Sequence, residues 1–99
     1  MDTEKIVHEY MAKYNRLIES SEKIKIEKSI DDLNTAIENS DTNAANMAYS
    51  QILEWNFKVA NLEGERDSIN EHVRGVKLPS VMMYAVVYNE NEKTWKFNV

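Results

Sequence analysis

The run AYSQILEWNFKVANL, Ala48 to Leu62, decides how this chain folds. Ala48, Ile52, Trp55, Val59 and Leu62 are spaced 4-3-4-3, and the spacing continues through Arg66, Ile69, Val73 and Val76. Apolar residues at this interval form a stripe along one side of a helix, which packs on another helix in the coiled-coil manner. A second apolar set, Tyr49, Leu53 and Phe57, recurs at every fourth residue. Phe57 lies about 200° around the helix from Trp55, so the two cannot share one contact. Either this helix is central to a bundle, or its second side meets another chain.

Upstream lie two more helical patterns. Ile6, Val7, Tyr10, Met11, Tyr14, Leu17 and Ile18 cluster in a stripe about 140° wide. Thr3 is a suitable N-cap for that helix. Ile26, Ile30, Leu33 and Ile37 form another stripe, turned by about 130° from the first. Ser20 and Ser21 sit at the change of phase, and serine caps helices better than it continues them. The pattern predicts a break near 20–22, a second helix over about 22–39, and a polar turn, Glu38 to Asn43, in which Asp41 or Thr42 caps the third helix. So short a turn makes helices two and three antiparallel neighbours. Gly64 is a possible stop for the third helix, with Ser68-Ile69-Asn70-Glu71 as a capping box for a further short one. The unbroken 4-3 phase favours one long helix ending at Gly75, with Pro79 beyond it.

Downstream, Val81 to Val99 reads as strand, turn and strand. Trp95, Phe97 and Val99 alternate with polar neighbours, the mark of a half-buried strand. Val81 to Tyr88 is apolar on both faces, which implies cover on both sides. Asn89 to Lys93 supplies a five-residue turn. The fold expected is α+β: a three-helix, helical-hairpin-like bundle over 1–76 and a C-terminal antiparallel β-hairpin over 80–99, forming one domain, 1–99. Folding at 99 residues buries roughly 60–70% of the chain's surface.

Composition restricts function. The net charge of −5 works against general affinity for nucleic acid or anionic membranes. Residues 29–65 carry seven acids and one base, Lys58, whereas residues 1–28 balance at six of each. There is no cysteine, so no disulfide or thiolate metal site forms. The N-terminal sequence lacks the basic start and apolar run of a signal peptide, and no apolar run approaches the ~20 residues that span a bilayer. These features point to a cytoplasmic protein. His8 and His72 do not form a His-x-x-x-His pair, and neither a nucleophile elbow nor a phosphate-cradling glycine loop is present. Neither enzymatic activity nor a cofactor or metal is expected. Lys23, Lys25 and Lys28 interleave with Glu19, Glu22 and Glu27, as on a solvated helix face, so direct nucleic-acid binding is not expected either.

The reading that follows is a small acidic interaction protein that blocks or regulates another protein. Its specific form is an inhibitor, of phage or mobile-element type, of nucleic-acid or defence machinery. Asp31, Asp32, Glu38 and Asp41, around the turn between helices two and three, are the expected partner-binding carboxylates. Tyr49, Leu53, Phe57, Tyr84, Val86 and Tyr88 are the expected apolar interface, in a homodimer or with a partner. The alternatives are a dimeric nucleic-acid-associated regulator and a structural or assembly component.

Overall fold

The computed structural model describes residues 2–99. Three helices, α1 (Thr3–Glu19), α2 (Ser21–Glu38) and α3 (Thr42–His72), precede a 3-10 turn (Met82–Tyr84) and a two-stranded antiparallel sheet, β1 (Val86–Asn89) with β2 (Thr94–Phe97). α3 runs unbroken through Gly64 for 31 residues. Gly75, at φ +80°, takes the left-handed backbone beyond it.

α1 and α2 follow each other along the length of α3. Lys13 pairs with Glu65 of α3 at 3.1 Å, and Lys58 of α3 reaches Glu22 at the start of α2 at 2.8 Å. Together they form one arm of a helical hairpin, with α3 as the other. One residue, Ser20, interrupts the first arm in extended conformation. Its hydroxyl donates to Leu17 O at 3.0 Å and accepts from Lys23 N at 3.4 Å, so it serves both helix ends. That single break resets the rotational phase, and both stripes then face α3. Asp2, not Thr3, caps α1: its carboxylate accepts from Lys5 N.

The core is one cluster along the seam. Ile26, Ile30 and Leu33 of α2 and Tyr10 of α1 meet Ala48, Ile52, Trp55, Val59, Leu62 and Ile69 of α3. Ile37, expected in the α2 stripe, is instead half exposed, and Ala36 is buried in its place. Ser29 and Leu33 are buried on the same flank as Ala36, so the contact side of α2 is wider on that flank than the apolar spacing alone suggests.

The C-terminal part departs from its sequence pattern. No strand spans 81–88; β1 begins only at Val86. Pro79 and Ser80 lead into the 3-10 turn, which breaks the two-residue alternation. Val81, Ala85 and Val86 are therefore all buried, while Met82 and Met83 are exposed. The ribbon is in register with Val86 opposite Phe97 and Tyr88 opposite Trp95. The face bearing these four residues packs toward the helices, and the other presents Val87 and Lys96. The doubly apolar strand therefore does not exist, and one helical layer covers the ribbon.

α2 ends in a Schellman turn. Asp41 N donates to Ala36 O at 2.8 Å and Ser40 N to Ile37 O at 3.1 Å. Ser40 sits at φ 56°, a conformation that side-chain-bearing residues reach only at some cost. Ser40→Gly is expected to raise stability by up to about 1 kcal/mol, read as a melting temperature several degrees higher.

Candidate functional surface

The most densely hydrogen-bonded tertiary region lies where the chain retraces α3 after Gly75. Asn70 Oδ1 accepts from Leu78 N at 3.2 Å. The Glu63 carboxylate accepts from the Ser80 hydroxyl at 3.1 Å and Val81 N at 2.9 Å, and pairs with Arg66 at 2.9 Å. The Tyr10 hydroxyl donates to Pro79 O at 2.6 Å, and Trp55 Nε1–H donates to Tyr84 O at 2.7 Å. Burial, then the nearby Glu63 carboxylate, pushes the Tyr10 phenol up to about 12. Burial also raises the Tyr14 phenol stacked beside it. Among the described residues no buried side-chain polar atom lacks a partner. The Tyr10–Glu63–Arg66 group therefore holds backbone in place.

Two asparagines complete the fastening. Asn56 of α3 donates to Val86 O at 3.0 Å and accepts from Val86 N at 2.8 Å. Asn34 of α2 makes the same pair of bonds with Trp95, at 3.0 and 2.8 Å. Each amide occupies the outer hydrogen-bonding edge of one strand, where a further strand would otherwise pair. Sequence reasoning missed Asn34, Asn56, Glu63 and Asn70. The available signal was asparagine inside long helices, a poor helix former in positions that propensity does not favour.

The sequence-derived site residues fall in three places. Val86 is 3% exposed and Tyr84 is half-buried beneath the Lys23 ammonium, 5.3 Å from its ring centre. Val86 thus belongs to this chain's own core and is removed from the candidate surface, and Tyr84 contributes only an edge. Tyr49 and Tyr88 both pack against Trp95, with ring centres 5.7 and 5.5 Å apart, and remain partly exposed as a rim. Leu53 and Phe57 stand clear on α3, 49% and 68% exposed.

The four acids are all exposed near the α2–α3 turn. Asp31 and Glu38, seven residues apart, share one side of α2. Asp32 pairs with Lys28 at 3.5 Å and borders, with Asp41, an open groove between α2 and α3. Asp41 is committed elsewhere, since its carboxylate accepts from Ala44 N and caps α3. His8 is exposed on α1, and His72 is exposed with Nδ1 2.8 Å from Ser68 O. Among the described residues no three His, Asp or Glu side chains converge as metal ligands, and no helix is long and apolar enough to cross a membrane. No protein-family model, curated protein or solved structure matches the chain.

Two outcomes test this arrangement. Asn56→Ala leaves the Val86 N–H and C=O without their side-chain partners. It is expected to cost about 1–3 kcal/mol and to speed amide exchange in the ribbon ahead of the helices. Tyr10 is held neutral with its folded pKa above the unfolded value near 10. Its contribution is complete below pH 10 and is lost as pH rises toward about 12. Melting temperatures from pH 8 to 12 should fall more steeply for the native chain than for Tyr10→Phe, which starts about 1 kcal/mol less stable.

Proposed function

We propose that this chain is a small cytoplasmic binding protein that regulates another protein by holding an acidic end against a basic surface. The carrying observation is the state of the α2 carboxylates. Asp31 and Glu38 are exposed, sit on a rigid helix, and have no ion-pair partner among the described residues. The one base of residues 29–65, Lys58, is spent on Glu22. Negative charge at Asp31 and Glu38 therefore projects from α2 with no ion-pair partner among the described residues, whereas Asp32 is paired with Lys28. Rigid carboxylates at set spacing lose little freedom on binding, and their field speeds encounter with a positive partner.

A basic groove built for nucleic acid fits such an end, and filling it excludes the nucleic acid. This supports the inhibitor form of the reading. Support for an interaction role also comes from shape. The molecule is elongated, 53 × 27 × 16 Å along its principal axes, and its hollows, including the one beside Arg66, Asn70 and Leu78, are open to solvent, a geometry suited to contact across surfaces.

The triple variant Asp31→Lys, Asp32→Lys, Glu38→Lys tests the proposal, with Asp41 retained because it caps α3. Capture of the partner from native-host lysate should fall roughly tenfold or more, each exposed pair contributing up to about 1 kcal/mol. Circular dichroism should be unchanged. Undiminished capture would count against the acidic end. In parallel, the native chain should not retard DNA or RNA at moderate salt. A shift with a steep salt dependence would favour a nucleic-acid-associated regulator instead.

A further inference from the structure

We infer that the outer side of α3 is a homodimer interface, in which two copies pair antiparallel about a two-fold axis passing midway between Lys58 and Val59. The inference does not depend on the acidic end. It begins with Leu53, Phe57, Ala60 and Gly64. All four are exposed, and they lie within about 60° on the side of α3 opposite its core stripe. Their spacing is 4-3-4, the same interval that packs the inner side of α3 on α1 and α2.

The order of sizes is what identifies the occupant. The two large residues come first and the two small ones second. The stated axis sets Leu53 beside the partner's Gly64 and Phe57 beside the partner's Ala60, so each bulky side chain meets a small one, and the same pairs repeat across the axis. Self-complementarity of this kind is what an isologous interface requires.

Gly64 has no explanation within the chain. It lies in the interior of a 31-residue helix, its backbone is ordinary helix, and a Cβ placed on it would meet nothing within 4 Å. Glycine in a helix interior is less stabilising than alanine. Close approach of a second helix accounts for it.

Polar flanks agree. Asn46 and Ser50 continue the stripe before Leu53, and Asp67 and Glu71 continue it after Gly64. Antiparallel pairing brings neutral side chains to the acids, whereas parallel pairing stacks each acid on its own copy.

The area also matches. The chain exposes 7010 Å², against about 5,800 Å² for a compact monomer of its mass. Its radius of gyration is 16.0 Å where about 13 Å is usual. This excess of roughly 1,200 Å² is spread over the whole elongated chain and leaves room for the ~800 Å² that one partner contributes to a standard interface. The pairing would place the two acidic ends about 55 Å apart, at opposite tips of the dimer.

Sedimentation equilibrium of the full chain at tens of micromolar should report about 23 kDa, twice the 11.5 kDa of one copy. Phe57→Glu should report a single copy with undiminished helix content, since that side chain touches nothing in its own core. Gly64→Gln should raise the melting temperature of the dilute monomer and weaken the dimer at least tenfold, opposite signs that a merely tolerated glycine would not produce. Because the chain lacks cysteine, a spin label at Asn46→Cys is unique. Its distance to the second copy should be about 35–40 Å, against about 10 Å for parallel pairing. A single-copy mass for the native chain, a dimer that survives Phe57→Glu, or a short label distance would each overturn the inference.

Discussion

The structure depends on the capture of irregular backbone by side chains of α3. From Gly75 to Ala85 the chain has little regular secondary structure, yet Leu78 and Val81 are buried. Buried N–H and C=O groups without partners cost about 1–3 kcal/mol each. Asn70, Glu63, Trp55 and Asn56 supply partners in turn as the segment descends the helix. Their bonds let a loop serve as the third wall of the core. They also deliver the ribbon to the α2–α3 seam, where Asn34 takes its far edge.

This arrangement makes α3 a spine with two unlike sides. The inner side is saturated, with Ile52, Trp55 and Val59 almost wholly enclosed. The outer side keeps Leu53 and Phe57 in water because the retracing segment and ribbon are bound elsewhere on the helix. The molecule's surface carries the exposed acids of the α2–α3 end, beside a Schellman turn and an aspartate cap, and a separate stripe of exposed Leu53 and Phe57 on α3. A pairing through α3 would turn one negative tip into two, and partner recognition and self-association would then use separate parts of the molecule.

Much of this was legible in the residues. The 4-3 stripe from Ala48 placed α3 and its inner side, because a helix that must bury one side shows it at every turn. Ser20 announced a break, since the two flanking stripes could not face one neighbour without it. The sequence by itself also settled where the charge lies and that Phe57 opposes Trp55, for both follow from order along the chain and helical geometry. The path of residues 76–85 was decided only by tertiary structure. Val81 to Tyr88 has the composition of a strand, but Glu63, distant in sequence, takes the Val81 N–H and favours a turn at Met82. Likewise Val86 became core and Phe57 did not, although both are large and apolar. Which apolar residue is covered depends on where other segments are fastened, and those fastenings are a few side-chain hydrogen bonds between remote residues that leave no periodic trace in the chain.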